Sequence, residues 1–378
     1  MSTSAAAKFV GGASEVAHYY GFRPLPEIAP EFAGAKLRSL APQDAAAACA
    51  STLSDGEPAL AFWASAGPAD TGPAREYGSF SLQIVGCPTS IGEVHILKTL
   101  EAIVTEAGAG SVSVALNCLG DKDSRVRFSR ELAAYLRRNA ALYEAGLSPV
   151  ECASIVENPT AAYRISNEAL QVLLQDGPRP MHFLSEKSRL HFRQVLEHLE
   201  RVNIPFEIDN TLAGSEYAAG SGEPRVVFRL QLPADAGTIT GSFGGRFDDL
   251  VRGRAAVPTL HASVFFRVKA PTRDLPSHTP TLRPKVYLIQ FGDSARLTGF
   301  SVLESLRRAR VPVAAQFDTR HLAPQLMNAE RIGVPYVLIM GHREALDRTV
   351  IIRAVATSSQ QTVSIAELPK HLRALKLV

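Results

Sequence analysis

Hydrophobic and polar positions follow two different periods along this chain. From Tyr77 to Val85, Tyr77, Ser79, Ser81 and Gln83 alternate with Phe80, Leu82 and Ile84, which predicts a half-buried strand. From Ile91 to Ala107 the period lengthens, and Val94, Leu97, Leu100, Ile103 and Val104 share one face of a helix that Gly108 ends. Residues 112–116 predict the next strand and Asn117–Gly120 a turn. A helix then carries Phe128, Leu132, Tyr135 and Leu136 inward, with Asp123 or Ser124 as its expected cap. Ser185 opens a long amphipathic helix through Phe192, Val195 and Leu199. Upstream, residues 12–22 predict a short helix capped by Gly21, and Ala41–Ala50 another. Arg23–Pro30, with three prolines, reads as extended and not helical, and Leu60–Trp63 as a short strand. Residues 147–180 read as short helices broken by prolines. Strands are expected at Pro205–Asp209, Val226–Leu232 and Thr238–Phe243, the last leading into a glycine-rich turn over Gly241–Leu250. Helices followed by a run of antiparallel strands predict an α+β sheet domain.

Pro271–Pro284, with Pro276 and Pro280 inside it, reads as a linker. Beyond it, strands at Val286–Gln290, Val311–Phe317 and Val334–Met340 alternate with helices at Arg296–Arg310 and Leu322–Ile332. Hairpin arms at Thr349–Val355 and Gln361–Ile365 precede a last helix from about Ala366. That alternation predicts a small α/β domain. The expected division is 1–270, a linker at 271–283, and 284–378.

Composition narrows the classes. The chain of 378 residues is 46% hydrophobic and 20% charged, as in globular proteins with a large core. Met1–Lys8 is not a secretory leader and no window is apolar enough to span a membrane, so a cytoplasmic protein is expected. Cys49, Cys87, Cys118 and Cys152 form no CxxC pair and read as reduced and mostly buried, with no metal site. From Pro284 onward thirteen Lys and Arg stand against seven Asp and Glu, a net +6, which leaves −3 for the rest. A basic terminal module suits a polyanion.

The stretch with most candidate chemistry is Gly241–Leu250, where glycines, Arg246, Asp248 and Asp249 stand together. Backbone N–H groups of a glycine turn can line an anion site, and an arginine can clamp it. Just beyond, Arg267 interrupts an apolar run that also contains His261. Arg267 reads equally well as an anion clamp or as a buried ion-pair partner of Asp248 or Asp249. His18 and His95 read as structural. His182, His191 and His198 lack the regular spacing and the carboxylate of a metal set.

Several segments, taken in order, resemble histidyl-tRNA synthetase, a class II aminoacyl-tRNA synthetase. They are Tyr20–Arg23, Glu76–Gly86, Leu116–Gly120, Asn158-Pro159, Ile204–Asp209 and Gly244–Leu250, the last similar to the family's G-G-R-Y-D-x-L segment. Residues 284–377 resemble the anticodon-binding domain of class IIa synthetases. The resemblance implies a class II synthetase-like antiparallel sheet domain followed by an anticodon-binding-like α/β domain. It also implies a homodimer, with Tyr19–Ile28 in the motif 1 region.

Such enzymes activate histidine with ATP and transfer it to tRNA, with fixed arginines meeting the phosphoryl charge. Carried over residue by residue, most of these roles fail. The histidine-specific R-G-L-D-Y-Y peptide becomes Leu212–Tyr217, with Ala213 in the arginine's place, Glu216 in the aspartate's, and Tyr217 retained. Phe62–Ala66 supplies neither the arginine nor the glutamate of motif 2. Ser79 replaces a glutamine and Gln83 a glutamate, while in motif 3 Arg267 persists behind Phe265 and Phe266. Arg75 and Arg246 are the arginines placed to compensate. Each missing charged donor at a transition state costs about 3–4 kcal/mol, so two or three losses remove about 10⁴-fold or more in rate.

The ligand-pocket candidates are therefore Arg75, Ser79, Gln83, Glu216, Tyr217, Arg246, His261 and Arg267. The expected function is a catalytically inactive paralogue with an RNA-binding (tRNA), protein-binding or regulatory role and no cofactor. The alternatives are an active or altered histidine–tRNA ligase using ATP and Mg²⁺, or a regulatory subunit in histidine biosynthesis. An open pocket around Arg246 and Arg267 would favour the ligase. A pocket filled by Trp63, Phe265 and Phe266 would favour the inactive paralogue.

Overall fold

The structure, a computed structural model, describes residues 5–33, 37, 40–53, 57–66, 77–214, 224–233, 236–248, 250–251, 256–267, 283–317, 322–375 and 377. Its helices are α1 (Ala5–Tyr19), α2 (Leu25–Ile28), α3 (Pro42–Ser51), α4 (Ile91–Glu106), α5 (Lys122–Arg138), α6 (Pro149–Glu157), α7 (Glu168–Gln175) and α8 (Glu186–Arg201). They are followed by α9 (Asp293–Arg308), α10 (Leu322–Ile332), α11 (His342–Asp347) and α12 (Leu368–Ala374). A first sheet contains β1 (Arg23–Pro24), β2 (Ala59–Ala66), β3 (Tyr77–Val85), β4 (Ser113–Cys118), β5 (Phe206–Ile208), β6 (Val226–Gln231), β7 (Ile239–Arg246) and β8 (Thr259–Arg267). A second contains β9 (Val286–Gln290), β10 (Val313–Ala315), β11 (Tyr336–Met340), β12 (Thr349–Ala354) and β13 (Gln360–Ser364).

The first sheet runs β1-β2-β3-β8-β7-β6-β4-β5, antiparallel from β2 to β4 with parallel strands at both edges. Alternation decides its faces. Phe80, Leu82 and Ile84 of β3, with Leu260, Ala262, Val264 and Phe266 of β8, enter the main core beneath α1, α4 and α8. Trp63 and Ala61 of β2 face the other way, into a smaller cluster with α2 and α3. The second sheet runs β10-β9-β11-β12-β13, parallel across its first three strands and antiparallel across the last three, an α/β unit. The main core is continuous between the two sheets, joining Ala17 and Leu97 to Phe300, Leu303 and Phe317.

Several expectations need correction. The first helix starts at Ala5, because Phe9 and Val10 have a core to enter: Phe9 packs on Phe266 with ring centroids 4.8 Å apart. Residues 25–28 are helical despite Pro26, because it sits in the first turn, where no amide donor is required, with Pro24 as the cap residue before it. The cap of α5 is Asp121, which accepts from the Ser124 amide at 2.9 Å. The glycine turn expected from Gly241 is strand up to Arg246. Gly244 and Gly245 serve close packing: a Cβ on Gly244 would meet the Phe228 ring and come within 2.7 Å of Ala262 Cβ, and one on Gly245 would lie 2.6 Å from Val226 O. The expected linker at 271–283 lies, apart from Arg283, outside the described residues.

Candidate functional site

On the open face of the first sheet, three rows of side chains line up across β2, β3, β8 and β7. The register pairs Ser65, Ser79 and Phe265 in one row, and Trp63, Ser81, Ser263 and Phe243 in the next. Ala61, Gln83, His261 and Gly245 form the third. Most of these side chains floor a pocket of about 580 Å³. Leu40 and Pro42 wall it on one side, and Tyr163, Arg164, Thr211 and Gly214 on the other, with Arg229 at its edge. The second wall comes from the helical segment between α6 and β6, where Ala213 is buried among Phe128, Leu132 and Tyr163.

The floor is uncharged. Ser65 and Ser79 hydroxyls lie 2.8 Å apart, as do those of Ser81 and Ser263. Ser263 Oγ in turn lies 3.2 Å from His261 Nε2, and Trp63 stacks on the same imidazole with centroids 5.6 Å apart. Burial pushes the His261 imidazole down to about 3, so it is neutral at pH 7. Gln83 is fully buried, donating from Nε2 to Pro42 O at 2.9 Å, which pins the start of α3 to the sheet. Among the described residues, the cations at this pocket are Arg164 and Arg229, both exposed at the rim, and no carboxylate lines it. Arg229 Nη2 donates to Asp209 Oδ2 at 2.7 Å. A triphosphate needs cations and Mg²⁺ needs carboxylate oxygens. The floor provides hydroxyls and rings, which suit a neutral ring-bearing group.

Arg246 is not in this pocket. It leaves β7 toward α4 and is 2% exposed. Its Nε donates to Glu93 Oε1 at 2.6 Å and its Nη2 to Glu93 Oε2 at 2.7 Å, while Cys87 O and Thr89 O each accept at 2.9 Å. His191 Nε2 from α8 approaches Glu93 Oε1 to 2.7 Å. Burial alone would raise the Glu93 carboxyl, but Arg246 and His191 outweigh it and hold the group well below the usual carboxylate range. Arg246 is thus a bidentate brace between strand and helix, with its donors committed inside the chain.

The remaining candidates separate. Ser79 and His261 line the pocket together, whereas Gln83 lies just beneath it. Arg267 is exposed at the end of β8 and lines neither pocket wall nor floor. Nor is it the partner of Asp248, whose carboxylate pairs with Arg225 and lies 3.8 Å from Arg246. Phe266 points into the core on the opposite face, and of the three aromatic residues expected to fill the site only Trp63 and Phe265 line it. Arg75, Glu216, Tyr217 and Asp249 lie outside the described residues. Sequence reasoning missed Glu93, hidden in an apolar helix. It also missed Ser81 and Ser263, whose shared period with Ser79 and His261 was the available signal.

The family described as Anticodon binding domain matches residues 285–375. The histidine–tRNA ligase of Gloeothece citriformis is 27% identical over 309 residues, covering 81% of this chain and 70% of the relative. That of Thermosynechococcus vestitus is 26% identical over 302 residues, covering 79% and 68%. Among solved structures, apo S. aureus histidyl-tRNA synthetase aligns over 95% of this chain and 88% of its own, at 16% identity and a TM-score of 0.41. A Bacillus halodurans C structure titled as an ATP phosphoribosyltransferase regulatory subunit/histidyl-tRNA synthetase aligns over 89% and 94%, at 14% identity and a TM-score of 0.41. No helix among the described residues is long and apolar enough to cross a membrane. The chain is a histidyl-tRNA synthetase-like protein, with an antiparallel sheet core followed by an anticodon-binding domain.

Proposed function

We propose that this chain is a catalytically inactive paralogue of histidyl-tRNA synthetase that acts as an RNA-binding protein, with tRNA as the favoured partner. The observation that carries the reading is the uncharged floor of the sheet pocket. Serine hydroxyls, a neutral His261 and aromatic rings stand there, while Arg246 is held by Glu93. Adenylate formation concentrates negative charge on phosphoryl oxygens, and among the described residues such a floor offers no cation to meet it. The match over 285–375 and the net +6 from Pro284 onward support RNA as partner. A homodimer in the cytoplasm belongs to the same reading, as does assignment of 1–270 to the synthetase-like part, 271–283 to a linker and 284–378 to the anticodon-binding part. The pocket's open volume, with Arg164 and Arg229 at its rim, favours a second reading as a histidine–tRNA ligase.

Titration with tRNA at two salt concentrations tests the RNA role. Binding that weakens as salt rises supports it, because each neutralised phosphate releases counterions. Absence of tRNA binding at low salt rejects it.

A further inference from the structure

The two sheets meet in a packed seam on one side and an open cleft on the other. In the seam, the His95 ring nitrogen Nε2 lies 2.7 Å from Tyr20 O, and its ring packs on Phe300 and Phe317 at 5.5 and 5.2 Å. Arg307 Nη1 donates to Glu106 Oε2 at 2.9 Å across the same boundary. Past Phe22 and Phe317, a cleft of about 700 Å³ opens between the β1–β2 region and the β10–α10 region.

Besides Glu15, His18, Arg23 and Glu27, which also line it, four of its polar groups converge. On the C-terminal wall, Asn328 Nδ2 donates to Gln316 Oε1 at 2.8 Å, and Arg331 Nη2 donates to Asn328 Oδ1 at 2.8 Å. Glu57, just ahead of β2, faces this pair from the other wall. It receives only long bonds, 3.4 Å from Gln316 Nε2 and 3.3 Å from Asn328 Nδ2. Its carboxylate has room for about four hydrogen bonds and has no ion-pair partner among the described residues. Arg331 is exposed and commits a single donor of its guanidinium to Asn328. One amide therefore bridges an under-used carboxylate and an under-used guanidinium, beside apolar wall from Leu60, Pro312 and Val313.

We propose that this cleft is a second ligand site, for a zwitterionic small molecule of the free amino acid class. Its ammonium meets Glu57, its carboxylate meets Arg331, and its side chain lies on the apolar wall. A ligand with one charge would satisfy one of the two groups and leave the other as it is. The volume falls within the range of small-molecule sites, which favour domain boundaries. Because the ligand touches both walls, its binding stabilises their present spacing.

The test is calorimetric titration of the full chain with each proteinogenic L-amino acid, and with acetate and methylamine as singly charged probes. Three variants accompany it: Glu57→Gln, Arg331→Met, and Ser79→Tyr, which obstructs the sheet pocket. The expected result is that at least one amino acid binds more tightly than either probe. Glu57→Gln and Arg331→Met each weaken it on the order of 10- to 100-fold, while Ser79→Tyr leaves it unchanged. Four results overturn the proposal: no amino acid binds the folded wild-type chain, a singly charged probe binds equally well, either charge variant leaves binding intact, or Ser79→Tyr abolishes it.

Discussion

Replacing Arg246 by Met distinguishes a structural brace from a ligand clamp. The side chain makes four hydrogen bonds inside the fold, two of them to the buried Glu93 carboxylate. Met fills a similar volume but leaves that carboxylate with His191 alone and removes one donor from each of two carbonyls, of which Thr89 O still accepts from the Gly92 amide at 3.2 Å. Removing one partner of a buried ion pair costs about 3–5 kcal/mol, because the remaining charge stays desolvated. The expected destabilisation of Arg246→Met is therefore about 3–5 kcal/mol, read as a lower urea midpoint with an unchanged slope. Arg246→Lys should recover part of it, since an ammonium cannot make the bidentate contact. Combining Arg246→Met with Glu93→Gln should cost less than the two singles together. The pH dependence has a fixed sign. The Glu93 carboxyl titrates lower in the folded chain than its ordinary 4.5, so the unfolded chain takes the proton first. The pair's contribution is complete above that value and falls as the pH drops below it. A variant Arg246→Met with stability within about 0.5 kcal/mol of wild type would refute the brace.

Three further outcomes follow from the packing and from buried charge. His261 titrates at about 3 in the folded chain against an ordinary 6.5, so acidification from 6.5 toward 3 favours unfolding, by up to about 1.4 kcal/mol per pH unit; in His261→Gln, urea midpoints measured across that window should lose this slope. Gly244→Ala forces a methyl against Phe228 and Ala262, and thermal melts should show about 1–3 kcal/mol of destabilisation. Phe317→Ala, which removes the ring stacked at 4.0 Å on Phe300, should cost about 3–5 kcal/mol. Since the main core is continuous between the sheets, the fluorescence of Trp63 and the far-UV signal should fall together in that variant; a separate early transition would contradict the shared core.

Local pattern carried the elements well, because alternation and helical faces depend on neighbours in sequence. Tyr77–Val85 is β3 as expected, and α8 begins after Ser185. In the C-terminal part every expected strand and helix is present, with ends shifted by a few residues. Failures arose where distant residues decide the outcome. Arg246 looks like a free clamp in a glycine turn until Glu93, 153 positions away, is found against it. The glycines beside it read as a turn because the crowding of Phe228 and Ala262 is visible only in the assembled sheet. Two sites were equally hidden: the serine rows need four strands in register, and the Glu57–Asn328 cleft needs both sheets.

The measurement that bears most directly on the central claim is histidine-dependent exchange of pyrophosphate into ATP by the purified full chain. The account predicts exchange at the no-enzyme background, with or without tRNA, because among the described residues the sheet pocket's floor holds no cation for the phosphoryl charge. Clear exchange that requires histidine would contradict it and would mean that an arginine at the rim, Arg164 or Arg229, or one outside the described residues such as Arg75, meets that charge.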